Sequence, residues 1–183
     1  MVSVSSLKQG EADMEAVLKN KLLGIFLTAT FIFGATTVDT LYAAEDENQT
    51  AKVVYHADYA DPVRLGSMLT SIFNMVTTYE NEFIDYDIRI VFLSHGIRFL
   101  TEDRLKNTPF EVDDKFAEQR KELIIRLKTL HNMQNINLSL CNITREAINL
   151  EKDKLIPGVT LVTSGVVEIA KLQSQGFSYL KVQ

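Results

Sequence analysis

From residue 51 onward, short apolar runs alternate with longer segments whose apolar residues recur at helical spacing. Each short run predicts a strand. The predicted strands are 52–57, 87–94, 135–141, 159–162 and 177–182. Strands that alternate with helices are typical of a three-layer α/β/α fold, so we predict a single domain with a mainly parallel sheet of about five strands.

The predicted helices begin at clear capping signals. Asp61-Pro62 starts the first and Asp113-Asp114 the second, and shorter helices are predicted at about 143–152 and 165–175. Gly176 stands where a glycine commonly closes a helix. The irregular stretch 97–112, which contains Pro109, predicts a loop or flap.

The two long helices should each bury one apolar face. In the first helix this face is Leu65, Met68, Leu69, Ile72, Phe73 and Val76. In the second helix it is Phe116, Leu123, Ile124, Leu127 and Leu130. The opposite face of the second helix mixes Lys, Arg and Glu, which predicts a solvated surface.

The first 44 residues differ in kind from the rest. Residues 22–38 are uncharged and apolar, Lys19 and Lys21 precede them, and Ala43-Ala44 follows. This pattern predicts a secretory signal, with Met14 as an alternative start. An uncleaved anchor stays open, because the run is marginal for a span of roughly 17–25 residues. We expect an exported, periplasmic protein, membrane-anchored if the segment is retained, with 45–51 as a linker and the domain at 52–183.

The composition excludes several classes of function. The chain has 183 residues, 46% of them hydrophobic, and a net charge of −5, which gives no electrostatic drive toward nucleic acid. A single cysteine, Cys141, excludes an intramolecular disulfide, a CxxC pair and a cysteine-rich zinc site. The three histidines lack acidic partners at ligand spacing, and no nucleotide-binding glycine motif is present. We therefore expect neither a metal nor a cofactor.

In parallel α/β sheets, ligands and catalytic groups gather beyond the C-terminal ends of the strands. The predicted strand ends place His56, His95, Cys141 and Ser164 at this edge. Cys141 directly precedes a predicted helix, whose positive end favours the reactive thiolate. The alternative is an inert buried cysteine. The two imidazoles could tune or protonate the thiol, or only bond their own loops.

Four neighbouring residues are further candidates with structural alternatives. Asn142 and Thr144 are first of all helix-capping groups. Arg145 could hold an anionic sulfur substrate or stabilise a thiolate, or it could lie in solvent. Ser164-Gly165 could bind an anion through backbone N–H groups, whereas Ser164 lacks the motif of a serine hydrolase.

The third predicted strand has one polar face. Asn137, Ser139 and Cys141 alternate with apolar residues, although a strand covered on both faces is normally apolar throughout. This predicts an edge-like strand, or a face completed by another subunit.

In order and spacing, several segments resemble the DsrE/DsrF-like family. They are Val54-Tyr55-His56, Leu93-Ser94-His95-Gly96, Cys141-Asn142-Ile143-Thr144, Pro157-Gly158-Val159, Ser164-Gly165-Val166-Val167-Glu168-Ile169 and the tail Leu172 to Lys181. The resemblance covers 52–183. It implies a flavodoxin-like domain that commonly forms homo- or hetero-oligomers. In sulfur-transfer members, a cysteine at the position of Cys141 carries sulfur as a persulfide. Those carriers are cytoplasmic, whereas this chain is predicted to be exported.

We therefore expect an exported sulfur-relay protein, acting as a persulfide carrier or sulfurtransferase through Cys141. Its partners would be a donor or acceptor protein or a small thiol, and it would form a homo-oligomer. Two alternatives stay open. One is a non-enzymatic, oligomeric ligand- or protein-binding module of the same fold. The other is redox sensing through a disulfide between two Cys141 residues.

Overall fold

The computed structural model describes residues 50–182, so the predicted export segment lies outside the described residues. In this part of the chain, five strands form one sheet: Ala51–Ala57 (β1), Tyr86–Phe92 (β2), Asn137–Cys141 (β3), Val159–Val162 (β4) and Ser178–Leu180 (β5). The α-helices are Pro62–Asn81 (α1), Asp114–Gln134 (α2), Asn142–Glu146 (α3) and Gly165–Ser174 (α4). Two 3₁₀ helices, Ser94–Phe99 and Lys152–Lys154, follow β2 and α3.

The sheet is parallel throughout, with the order β4-β3-β2-β1-β5. The connections from β1 to β4 advance in one direction, and with right-handed crossovers they lie on one face. The connection from β4 to β5 returns across the sheet, and α4 covers the other face. The predicted three-layer α/β/α fold with a parallel sheet is thus confirmed, and the structure adds the strand order.

The core is divided unequally by the sheet. The larger cluster lies under α1 and α2 and includes Leu65, Ile72, Ile90, Phe92, Leu127 and Leu140. The smaller cluster lies under α4 and consists of Val54, Val91, Ile169, Leu172 and Phe177. One helix therefore covers a face that is five strands wide, and it lies across the strands near Cys141.

Both long helices begin at the predicted caps. The Asp61 carboxylate accepts a hydrogen bond from the Val63 N–H at 2.9 Å, with Pro62 in the first turn. The Asp113 carboxylate accepts one from the Phe116 N–H at 2.7 Å. Each bond satisfies a backbone donor that the helix itself leaves unpaired. Gly176 follows α4 with φ +89°, the left-handed conformation that favours glycine.

Two residues of the predicted buried faces are not fully buried. Phe73 is 52% exposed, although the other five residues of the predicted α1 face are buried. Phe116 is half-buried and packs against the larger core. Helical spacing places Phe73 beside the buried face, but its position on the helix turns it outward beside α2.

The stretch 97–112, predicted as a loop or flap, is irregular after the end of the 3₁₀ helix Ser94–Phe99, and buried side chains anchor it. Ile97, Phe99 and Leu100 are fully buried. The prediction that the polar face of α2 is solvated is wrong at Arg120, which is 2% exposed. Its guanidinium donates to the backbone carbonyls of Arg98, Glu102 and Asp103 at 2.7–2.9 Å. A side chain predicted to lie in water instead holds the loop against α2.

The edge-like assignment of the third strand is also wrong. β3 lies between β2 and β4, and Ser139 and Cys141 are both buried. The polar face of β3 is the one on the α4 side of the sheet, since Ser139 pairs with Val91 of the smaller core cluster.

Replacing Arg120 by methionine should destabilise the domain by about 2–4 kcal/mol, because three buried carbonyls would lose their donor. The measurement is the free energy of unfolding from urea denaturation. Lys121→Met is the matched control, since the Lys121–Glu118 ion pair is exposed and its loss should change stability by less than about 0.5 kcal/mol. Equal effects of the two substitutions would contradict the anchoring role.

Candidate functional site

The topology creates a crevice between the C-terminal ends of β3 and β4. The chain leaves β3 toward the face that carries α1 and α2, because Leu150 and Ile156 of this connection join the larger core. It leaves β4 toward the opposite face, into α4. Adjacent strands whose connections diverge in this way mark the usual ligand-binding position of open α/β sheets. Cys141 is the last residue of β3 and pairs with Val162 of β4, so its thiol lies at this position.

Two helices begin beside the Cys141 thiol. α3 starts at the next residue, and the first residue of α4, Gly165, packs against the cysteine from the opposite layer. A Cβ atom added at Gly165 would lie 3.1 Å from Cys141 Cβ and 2.6 Å from the Leu93 side chain. Only a residue without a side chain allows α4 to approach β3 this closely.

Backbone and hydroxyl groups at the two helix starts act on the sulfur. Burial alone would raise the pKa of Cys141, since only 4% of the residue is exposed. The N–H groups of Gly165, Thr144 and Ile143 and the Thr144 hydroxyl oppose burial, and the net pKa lies below the ordinary value. The Cys141 side chain makes no capping hydrogen bond to α3. These donors are therefore dipoles that stabilise the thiolate.

Thr144 connects the thiol to the end of β2. Its Oγ1 accepts a hydrogen bond from the Ser94 N–H at 3.1 Å, which leaves its own proton for Cys141. Ser94 has φ 47°, a left-handed conformation that costs energy for a residue other than glycine. Thr144, predicted first as a capping group, is one of the groups that the structure brings to Cys141.

Asn142 and Arg145 serve the conformation of α3. Asn142 donates to Glu146 and accepts from Arg145 Nε at 2.8 Å. Arg145 also donates to the Leu150 carbonyl, and its side chain is mostly buried. The solvated position considered for Arg145 is wrong, whereas its roles toward an anionic sulfur substrate or a thiolate stay predictions. The contacts of Asn142 and Arg145 fix the short helix whose first N–H groups face the sulfur.

The contacts of the two candidate histidines are with residues other than Cys141. His95 Nδ1 lies 3.2 Å from Ser94 Oγ, and its ring packs edge-on against Phe110, so His95 is tied to its own loop. His56 is on β1, two strands or about 10 Å from β3. A direct role of either imidazole at the thiol stays a prediction that these contacts do not favour.

His56 belongs to a separate cluster at the β1–β5 edge. Its Nδ1 lies 2.9 Å from Tyr179 Oη, and Nε2 lies at ion-pair distance, 3.6 Å, from Asp58. Asp58 in turn accepts a hydrogen bond from Lys181 at 2.8 Å. Burial lowers the pKa of His56 although Asp58 opposes this effect. The His56–Tyr179 and Asp58–Lys181 contacts join the end of β1 to the end of the short strand β5, so the cluster has a structural role.

Ser164 occupies the capping position of α4 without a side-chain capping bond. Its neighbour Gly165 was noted in the sequence only as part of a weak anion-binding turn. The structure makes Gly165 the residue that determines how closely α4 approaches the thiol. The available signal was a glycine that directly follows a predicted strand and precedes an amphipathic helix. That signal does not say which strand the helix packs against.

The profile of the DsrE/DsrF-like family matches residues 48–182, which covers most of the chain and all the site residues. The chain belongs to the DsrE/DsrF-like family. The resemblance on which the sequence prediction rested is therefore confirmed for the family. A comparison with curated proteins found no match.

Two solved structures are similar to this DsrE/DsrF-like chain. The protein of unknown function MTH1491 from Methanobacterium thermoautotrophicum is 24% identical with a TM-score of 0.52, over 72% of this chain and 98% of its own. The ychN protein from E. coli is 20% identical with a TM-score of 0.43, over 72% and 99%. The first of these likenesses supports the fold alone.

Among residues 50–182, no helix is long and apolar enough to cross a membrane. No group of three or more His, Cys, Asp or Glu side chains in that part of the chain is placed to hold a metal ion. The absence of a metal or cofactor, and the anchored or cleaved state of the N-terminus, stay predictions.

Substituting alanine for Gly165 should raise the pKa of Cys141. The added Cβ would force the first turn of α4 away from Leu93 and Cys141, and the Gly165 N–H would then stabilise the thiolate less. The measurement is the pH dependence of the rate at which iodoacetamide alkylates Cys141. Gly66→Ala is the control, because an added Cβ there meets its nearest atom at 3.6 Å, an ordinary contact. An unchanged pKa in Gly165→Ala would contradict this role of the helix start.

Proposed function

We propose that this chain is an exported sulfur-relay protein that carries sulfane sulfur as a persulfide on Cys141. The observation that carries the proposal is the convergence of two helix starts on the only cysteine, at the crevice between β3 and β4. Membership of the DsrE/DsrF-like family supports the same chemistry.

The proposed reaction is two successive thiol exchanges with no net oxidation. The Cys141 thiolate attacks the outer sulfur of a donor persulfide, RSSH, forming Cys141-SSH and releasing RS⁻. An acceptor thiolate then attacks the outer sulfur of Cys141-SSH, which regenerates the Cys141 thiolate and gives a persulfide on the acceptor. Each step needs a nucleophilic thiolate and a stable thiolate leaving group. The N–H and hydroxyl groups that lower the pKa of Cys141 stabilise its thiolate both as the nucleophile and as the leaving group.

The site supports a carrier better than a hydrolytic or redox enzyme. The groups near the sulfur are backbone N–H groups and the Thr144 hydroxyl, and both histidines are bonded elsewhere. Sulfur exchange between thiols requires no separate general base once the thiolate is formed.

Incubation with an excess of glutathione persulfide should add one sulfur atom to the wild-type chain, and cyanide should remove it as thiocyanate. The measurement is intact-mass spectrometry before and after cyanide. Cys141→Ser should gain no mass, whereas His56→Gln should load like the wild type, because His56 contacts Tyr179 rather than the thiol. An unmodified wild-type chain, with a Cys141 pKa above the ordinary value of about 8.5, would exclude a persulfide carrier. The non-enzymatic binding module would then be the better account.

Export is supported by the sequence alone, through the apolar run at 22–38 and the lysines before it. Protein purified from the cell envelope of its own host should lack about the first 44 residues. Intact-mass measurement of that material gives the N-terminus directly and also reports sulfur already bound to Cys141. Recovery of the full-length chain in the cytoplasmic fraction would contradict export and leave the sulfur chemistry untouched.

A further inference from the structure

The Cys141 side chain lies between two apolar side chains of the neighbouring strands. Cys141 pairs with Val162 of β4, and Phe92 of β2 pairs with Leu140, so the next residue of β2, Leu93, comes beside Cys141. Leu93 is extended, with φ −136° and ψ 164°, and therefore continues the course of the strand. Residues that are paired across parallel strands point to the same face of the sheet. Leu93 and Val162 thus stand on either side of the thiol.

The beginning of α4 closes the space above the same side chains. A Cβ atom added at Gly165 would lie 2.6 Å from Leu93 Cγ and Cδ2 and 3.1 Å from Cys141 Cβ, so these residues meet at one point. Leu93 also packs against the smaller core cluster, and Cys141 is buried. We call the space around the sulfur, bounded by Leu93, Val162 and Gly165, the sulfur slot.

The Leu93 wall of the sulfur slot is held in place by its backbone. The Leu93 N–H donates to the carbonyl of Ala57, the last residue of β1, at 3.0 Å. The Leu93 carbonyl accepts from the Gly96 N–H at 2.8 Å. The wall cannot withdraw from Cys141 without the loss of these hydrogen bonds and of its packing. The width of the slot is therefore set by the fold.

This width matters because of the geometry of sulfur exchange. A thiolate attacks along the line of the bond that breaks, so three sulfur atoms lie nearly in a row in the transition state. The central sulfur lies about 2 Å beyond Cys141 Sγ, and its own substituent projects sideways. In attack on the outer sulfur of RSSH, that substituent is a hydrogen atom. In attack on a disulfide, or on the inner sulfur of RSSH, it is a carbon atom.

A carbon that projects sideways meets the walls of the sulfur slot. Neighbouring strands lie about 4.8 Å apart, so Leu93 and Val162 are already near contact distance from the sulfur on either side. Forcing a carbon group into such a space resembles the insertion of an extra methylene into a packed core, which corresponds to a rate loss of roughly tenfold to a hundredfold. A hydrogen atom on the central sulfur avoids this penalty.

We propose that Leu93 and Val162 make Cys141 selective for a sulfur atom that carries no carbon. The site accepts the outer sulfur of RSSH, which gives Cys141-SSH and RS⁻. It rejects a disulfide, RSSR, which would give Cys141-SSR and RS⁻, and the inner sulfur of RSSH, which would give Cys141-SSR and HS⁻. This inference rests on the proposed persulfide chemistry and names its substrate class, donors with a terminal sulfane sulfur.

The test compares two reagents that share one R group, glutathione persulfide and glutathione disulfide, on the full chain. Intact-mass spectrometry follows the rates at which Cys141 gains one sulfur atom or one glutathionyl group. The ratio of the two rates does not depend on the fraction of thiolate, since both reagents meet the same thiolate. The chain unfolded in urea supplies the ratio for an unhindered Cys141. We expect the folded chain to exceed that ratio by roughly tenfold to a hundredfold.

Three variants test the wall directly. Leu93→Ala should lower the ratio of the folded chain by about tenfold, through faster glutathionylation rather than slower gain of sulfur. Leu93→Met conserves the volume and should conserve the ratio. Leu172→Ala is the control for looser packing and should leave the ratio unchanged. Leu172 belongs to the same small cluster, but it lies about two turns, or roughly 10 Å, beyond Gly165 along α4.

The outcomes separate this selectivity from the carrier function. Equal ratios in the folded and unfolded chains, or an unchanged ratio in Leu93→Ala, would overturn the selectivity and leave the persulfide carrier intact. An equal fall in Leu172→Ala would assign the effect to loose packing and would also overturn the role of the wall. A folded wild-type chain that reacts with neither reagent, or that gains only the glutathionyl group, would overturn the selectivity and the carrier together.

Discussion

The first turn of α4 lies directly against the end of β3, and this contact is possible because residue 165 has no side chain. The backbone N–H of Gly165 approaches the Cys141 sulfur from one layer of the fold, while the N–H groups at the start of α3 approach it from the other. The two helix starts reach the thiol from opposite layers because the chain leaves β3 and β4 toward opposite faces of the sheet. The lowered pKa of Cys141 thus depends on sheet topology and on one close backbone approach.

Supporting contacts maintain this arrangement at some distance from the sulfur. Asn142 and Arg145 fix the short α3, whose five residues would be marginal as an isolated helix. The Ser94 N–H holds the Thr144 hydroxyl. Arg120 anchors the loop after the 3₁₀ helix that contains Ser94. Substitutions at these positions should therefore affect the thiol through geometry rather than through direct chemistry.

The fold was predictable because local signals agreed with one another. Asp61-Pro62, Asp113 and Gly176 delimit helices through capping and φ preferences that act within a few residues. The side chains whose burial was predicted wrongly depend on residues far away in the sequence. Arg120 is buried because three carbonyls of a remote loop converge on it, and Phe73 is exposed because α2 leaves its side uncovered. No local pattern carries that information.

The central residue of the candidate site, Cys141, was predictable from the sequence, but the residues that surround it were not. The rule that sites gather at strand ends correctly placed Cys141 at the edge, yet it also placed His56 there, two strands away and bonded to Tyr179. Strand order, which decides which ends are neighbours, is a long-range property that the spacing of apolar residues does not specify. The same limit hid Gly165, whose importance arises only once α4 is known to cross over β3.

The most direct test of the account is the protonation state of Cys141 itself. The ultraviolet absorbance of the thiolate, measured against pH as the difference between the wild-type chain and Cys141→Ser, gives its pKa without any labelling reagent. The account predicts a midpoint below the ordinary cysteine value of about 8.5, because converging N–H groups outweigh burial. A midpoint above that value would mean that burial dominates and that Cys141 is an inert core residue.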